Sequence, residues 1–187
     1  AGDLIETKPS KTKARFIQQQ LRNIDSEYGV YAVDGNHELY GDNGKLDFFR
    51  NTNIHFLRDT VKRIDDAFYL VGRKDRHIQN RKSFDELLKF TPENLPSVVL
   101  DHQPYHLERT AKQEVDIQVS GHTHHGQMFP FNYITKAMYR ISWGYEEIEN
   151  THFFVTCGAQ GWGPPVKTSS TSEIMEINVK LIEEKVE

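Results

Sequence analysis

Cysteine is nearly absent from this 187-residue chain. The single Cys157 can form no internal disulfide, and its setting in Phe153-Phe154-Val155-Thr156-Cys157 predicts a buried strand rather than a reactive thiol. Long apolar runs are missing as well: no stretch approaches the ~20 residues of a membrane span, and no signal-peptide pattern is present. An excess of positive charge is also lacking. With 23 Lys and Arg against 27 Asp and Glu, the formal charge of −4 leaves no broad basic field for a nucleic-acid backbone, so nucleic acid is not an expected partner. What remains is ordinary for a folded protein: 37% hydrophobic and 11% aromatic residues, with no internal repeat or low-complexity tract. A chain of this length buries roughly 70% of its unfolded surface, which suits one globular domain over 1–187.

Helix and strand signals alternate along the chain, predicting an α/β fold. After Pro9-Ser10, apolar Ala14, Ile17, Leu21 and Ile24 recur at spacings of three and four, the stripe of an amphipathic helix, and Gly29 is the expected terminator. Strands are expected at 30–33, 54–57, 68–72, 97–100, 115–119, 153–156 and 173–179, with a turn near Asp65-Asp66. Further helices are expected at 45–50, from the capping box Ser83-Phe84-Asp85-Glu86 to Phe90, and near 105–112. The basic stretch Arg73-Lys74-Asp75-Arg76 with Asn80-Arg81-Lys82 reads as a solvated or mobile loop.

Four short stretches carry the chemistry: Gly2-Asp3-Leu4-Ile5-Glu6, Gly35-Asn36-His37-Glu38, Asp101-His102, and Gly121-His122-Thr123-His124-His125-Gly126-Gln127. Three of them follow an expected strand, at whose carboxyl end loops of an open α/β sheet converge. Oxygen and nitrogen ligands without thiolate suit hard or borderline divalent ions: manganese, magnesium, iron or zinc. Two such ions at roughly 3.5–4 Å can clamp the attacking and leaving oxygens of a displacement at phosphorus. His122 and His124, two apart, reach neighbouring ions if their segment is extended.

These stretches, in this order, resemble the calcineurin-like metallophosphoesterase superfamily, whose pattern is D-x-H, G-D-x-x-D/E, G-N-H-D/E, a lone His, and G-H-x-H. All but the first are present. The tail Gly158-Ala159-Gln160-Gly161-Trp162-Gly163-Pro164-Pro165, followed by Ser172-Glu173-Ile174, is similar to the end of a bacterial subgroup with G-H-T-H-x-G-Q. The resemblance implies a β-sandwich flanked by helices, here without the strand that carries D-x-H, so that the chain reads as the major, C-terminal part of a longer protein. It also implies a hydrolase of phosphodiesters or phosphomonoesters with two divalent ions. Asp3 would bridge the ions, Asn36, His102 and His122 would complete the second site, and His124 would bind the first. His37 would be the catalytic acid beside the phosphate, and Glu6 and Glu38 would orient site histidines.

Other residues carry weaker expectations. His125 points to the opposite face of an extended loop and, with Gln127, is a candidate for the substrate pocket. His55, His77, His106 and His152 match no motif position and read as surface or structural residues. Tyr40, Phe129, Phe131, Tyr133, Tyr139, Trp143 and Trp162 surround the His-rich loop, with packing beneath long loops favoured over an apolar rim. The subgroup resemblance makes a lipid-linked phosphate a reasonable substrate. It places such a protein in the bacterial membrane fraction or cytoplasm, with any anchor in an upstream segment, and self-association would cover an exposed sheet edge. Two rivals stand beside the enzyme: a regulatory metal-binding module, and a nuclease of the same superfamily, which would need a basic groove by the metals.

Overall fold

The structure, a computed structural model, describes residues 1–5, 9–40, 47–92 and 95–180. The first helix, α1 (Lys11–Arg22), starts where Ser10 Oγ accepts from Lys13 N. Its stripe of Ala14, Ile17 and Leu21 packs on Ile5, Phe48, Phe49, Ile54 and Phe56. Ile24 lies beyond the helix and is exposed, so the stripe is one turn shorter than expected. Gly29 does not end the helix either; Asn23 is the cap. With φ +90°, Gly29 closes a turn whose N–H donates to Ser26 O, just ahead of β1 (Val30–Ala32).

After β1 come the short α2 (Asn36–Leu39), a 3-10 turn at Phe48–Asn51, and β2 (Ile54–Phe56), which pairs in parallel with β1. The helix expected at 45–50 is this 3-10 turn in its described part, and 45–46 lie outside the described residues. A six-stranded sheet follows. It is built from β3 (Thr60–Ile64), β4 (Phe68–Gly72), β5 (Ser97–Leu100), β6 (Ile117–Ser120), β7 (Gly144–Ile148) and β8 (Thr151–Val155), in the order β3-β4-β5-β6-β8-β7. Strands β4, β5, β6 and β8 run parallel, with antiparallel edges at β3 and β7.

Period-two alternation decides the layers. Leu70, Val98 and Leu100 point to one face, where they meet Val33, Leu57 and Ile64 and so join the two sheets into a sandwich. Val71 and Val99 point to the other, against Leu87 of α3 (Phe84–Leu88) and Val115. Farther along that face α4 (Leu107–Ala111) covers Phe153 and Val155. The chain is therefore α/β, with sheets inside and helices outside.

Three elements differ from expectation. β3 is a strand because it pairs along its whole length with β4 across the Asp65-Asp66 turn, although its side chains are mostly exposed. Likewise β7 pairs as an edge, and α5 (Phe131–Met138) forms after Pro130 with no buried residue. Conversely, 173–179 forms no strand: Ile174 is 92% exposed, and Glu173 instead accepts from Trp143 Nε1, Thr156 Oγ1 and Cys157 N. Three local donors hold the segment at one point, and it has no neighbouring strand to pair with among the described residues.

The basic stretch after β4 is only in part the solvated loop expected: Arg76, Asn80 and Lys82 are exposed, but its other cations are engaged. Arg73 and Arg81 close on the buried Asp101 carboxylate, and Lys74 N and Lys82 N donate to buried Asp59. Arg73 also lies over the Phe84 ring, 3.8 Å from its centroid. A buried charge that loses its partner is strongly destabilising. Arg73→Met should lower unfolding stability by about 3 kcal/mol in urea titration; an unchanged midpoint would show that Arg81 alone suffices.

Candidate metal centre

The parallel strands set the site by their register. Beyond β5 and β6 the backbone pairing continues, Asp101 N to Val119 O and Gly121 N to His102 O, so His102 and His122 emerge side by side at carboxyl ends. From the small sheet, Asp34-Gly35 leads into α2 and delivers Asn36 and His37 to the same end. Asp34 is anchored bidentately by Arg58 at 2.5 and 2.9 Å.

Glu38 then ties the loops together. Its carboxylate accepts from Gly35 N and Asp3 N at 2.8 Å and from Ile5 N at 3.1 Å. It therefore orients the Asp3 backbone, where the sequence suggested that it would orient histidines. Glu6 lies outside the described residues. Glycine is required for the approach: a Cβ on Gly35 would stand 2.1 Å from Asp3 Oδ1, and one on Gly2 2.4 Å from His102 Nδ1. Asp3 Oδ1 accepts from His37 N at 2.8 Å, which turns its other oxygen inward. Gly35→Ala should weaken divalent-ion affinity at least about tenfold and cost about 1–3 kcal/mol of stability. Metal titration beside thermal unfolding would read both effects.

At the centre His102 is 1% exposed, and its Nδ1 bonds Ala1 O at 2.7 Å. That bond fixes the proton on Nδ1. The other nitrogen, Nε2, faces Asp3 Oδ2 at 3.1 Å, Asn36 Oδ1 at 3.2 Å and His122 Nδ1 at 3.1 Å. Asp3, His102 and His122 form a cluster with the spacing of metal ligands. Four acceptors of one proton each cannot satisfy one another, but a cation at their centre satisfies all four. The separations agree with ligand–ligand edges of about 3.0–3.4 Å for bonds of about 2.1 Å.

The electrostatics point the same way. Burial alone would lower the His102 pKa, yet the hydrogen bond and charge of Asp3 outweigh it and raise it. Burial would raise that of Asp3, and His102 holds it low. A proton and a cation thus compete for one place. Burial, then the charge of His102, push His122 down to about 4, which leaves its lone pair open for a ligand role. His124 is also lowered, by burial and then by Lys167, and its buried Nδ1 has no hydrogen-bond partner among the described residues.

The His-rich loop is not extended. His122, His124, His125 and Gln127 all have positive φ, 47° to 70°, a region that costs non-glycine residues about 1–3 kcal/mol each. Its neighbours hold it there. Thr123 Oγ1 donates to Ser142 O, His125 Nδ1 bonds Ser142 Oγ at 3.0 Å, and Ser169 and Ser170 donate to the His125 and His124 carbonyls. His125 is buried against Trp143 and lines no cavity with the ligand cluster, so its placement is that of an anchor. Gln127, fully buried, clamps the tail through Trp162 N, Trp162 O and Pro164 O.

Two cavities meet at His122. One, of about 460 Å³, brings Asp3, His37, His122 and His124 together under Met128, Phe131, Ile134, Met138, Tyr139 and Trp162. Contrary to the packing expectation, Tyr40, Phe129, Phe131, Tyr133, Trp143 and Trp162 are about half exposed or more, and Phe131 and Trp162 form an apolar rim on the cavity; Tyr139 alone of that set is buried. The other cavity holds Arg76 and His77, beside the arginines on Asp101. The basic stretch is therefore adjacent to the ligand cluster in space, although distant from it in sequence. Its arginines carried no motif, and only the pairing of β4 with β5 reveals where they stand.

The model of the calcineurin-like phosphoesterase family matches residues 1–126, a span containing every ligand candidate and His37. The chain belongs to that family. It is 34% identical to an uncharacterized metallophosphoesterase of Helicobacter pylori over 92% of this chain and 48% of that protein. Identity is also 34% to one of Campylobacter jejuni, over 96% and 49%. A transmembrane protein with metallophosphoesterase domain from Danio rerio is 28% identical over 96% and 44%. The chain spans about half the length of the curated relatives it matches. Among the described residues no helix is long and apolar enough to cross a membrane.

Proposed function

We propose that the chain hydrolyses phosphoesters, diester or monoester, at a dinuclear divalent-metal centre, and that its substrates carry an apolar substituent such as a lipid-linked group. The observation that carries this reading is the convergence of Asp3 Oδ2, Asn36 Oδ1, His102 Nε2 and His122 Nδ1 at one point, with His37 and His124 on the same cavity. Asp3, Asn36, His102 and His122 would hold one ion, and Asp3 with His124 the other. Divalent ions so held supply Lewis acidity, making water acidic near neutral pH and offsetting phosphoryl charge.

The chain's own residues do the rest. His37, fixed through its backbone N–H on Asp3 and by its ring against Tyr40, stands at the cavity edge as donor of a proton to the leaving alkoxide oxygen. Glu38 keeps Asp3 in register with Asn36. The wall of Ile134, Met138, Phe131 and Trp162 excludes water and accepts hydrocarbon.

Release of p-nitrophenol from an aryl phosphodiester or monoester by the full-length protein in Mn²⁺ tests the reading. Chelator should abolish release and added Mn²⁺ should restore it. No turnover of either ester class with saturating Mn²⁺, Mg²⁺, Fe²⁺ or Zn²⁺ would overturn it.

A further inference from the structure

The second cavity, about 540 Å³, is lined by Tyr40, Arg76, His77, Gln103, Tyr105 and His122. It shares His122 with the ligand cluster. A wall made by Tyr105 and Tyr139, whose hydroxyls bond at 3.0 Å, stands between it and the apolar cavity. Its character is the opposite of its neighbour's: one guanidinium, two imidazoles, two phenols and an amide.

The cation here is uncommitted. Arg73 and Arg81 are spent on Asp101, whereas Arg76 forms no ion pair among the described residues and lies over the Tyr105 ring, 4.0 Å from its centroid. Stacking holds the guanidinium plane while leaving its N–H edge open, the arrangement that suits a bidentate oxyanion. The one acid in contact is already engaged. Asp75, fully buried, accepts from His77 N and His77 Nδ1 on one oxygen, at 2.9 and 2.7 Å, and from Gln103 Nε2 on the other at 3.0 Å. With Nδ1–H given to Asp75, the His77 ring is held with Nε2 outward. The sequence reading of His77 as a surface or structural residue agrees with its half-exposed side chain; what it did not show is the place on a cavity wall shared with His122.

We infer that this cavity is a second anion subsite, which binds a phosphoryl or carboxylate group carried by the same substrate whose scissile phosphoryl meets the ligand cluster. The inference rests on the phosphoesterase reading and narrows it: the substrate class is a phosphoester with a second, non-scissile anionic group. Arg76 binds that group through its open N–H edge, beside His77, which Asp75 and Gln103 position. An anion held in this way lowers KM for a matching substrate.

Two chromogenic diesters that differ only at the far end provide the test: p-nitrophenyl 3-phosphopropyl phosphate, and p-nitrophenyl 3-hydroxypropyl phosphate. In excess buffered Mn²⁺ the full-length protein should prefer the anionic end at least tenfold in kcat/KM, through KM, and the preference should shrink with added salt. Arg76→Ala should reduce the preference below threefold, and His77→Gln should reduce it partway. A wild-type protein that does not distinguish the two diesters overturns the inference, as does a preference that survives Arg76→Ala combined with His77→Ala. Calorimetric binding of the two diesters in the presence of Ca²⁺ reads the subsite without turnover. Absence of hydrolysis with a retained, Arg76-dependent binding preference would therefore fault the catalytic reading alone, and equal binding would fault the subsite.

Discussion

His37→Ala should lower turnover of an alkyl phosphoester by about 10²–10³-fold, the range of a lost proton donor, while divalent-ion affinity stays within about threefold of wild type. His122→Ala should do the reverse, weakening the ion held at His102 by at least about tenfold to a hundredfold and losing activity through that loss. The contrast follows from geometry. His122 Nδ1 is one of four donor atoms around a point, whereas the described contact between His37 and Asp3 runs through the His37 backbone N–H, which alanine retains. Calorimetric Mn²⁺ titration and steady-state kinetics on the same preparations would separate the two. Loss of metal on His37→Ala would make His37 a ligand and remove it as the acid.

The second large effect is in stoichiometry. One Mn²⁺ should bind the 187-residue chain tightly, and a second at least about 100-fold more weakly. Asp3, Asn36, His102 and His122 supply four protein donors to one position, but only Asp3 and His124 are available to the other among the described residues. Water must fill the remaining positions, and it contributes none of the preorganisation of a protein ligand. Calorimetry with elemental analysis of the dialysed protein gives the count. Two equivalent tight ions would show that other side chains complete the weaker position.

The candidate ligands were legible because the family pattern places them in short, ordered stretches at strand ends. Gly35-Asn36-His37-Glu38 can be read from its residues, since only a glycine without Cβ lets Asp3 approach. The central strands were legible for a similar reason. Val98-Val99-Leu100 is buried on both faces, and a continuous apolar run states that directly. The edges were not: β3 and β7 are strands by virtue of a partner, and a mostly exposed edge has no apolar pattern to announce itself. The tail failed the other way. Its alternating Ile174, Glu176, Ile177 and Asn178 suggested a strand, but a period of two makes a strand only where another strand lies alongside.

By itself, then, the sequence determined the α/β class and the family pattern, and through that pattern it named Asp3, Asn36, His37, His102, His122 and His124 as candidates, because a family motif restricts residue type and order. Tertiary structure alone decided how the remaining polar groups are used. Arg73 and Arg81 close on Asp101, Asp75 fixes His77, His125 and Gln127 anchor a loop of left-handed residues, and the aromatics of 129–138 stay exposed, with Phe131 on the cavity rim. The physical reason is distance. A charge or ring takes its role from partners that the fold brings within about 3–4 Å, and apart from Asp75 and His77, two residues apart, those partners lie 17 to 37 residues away in the chain, where no local spacing records them.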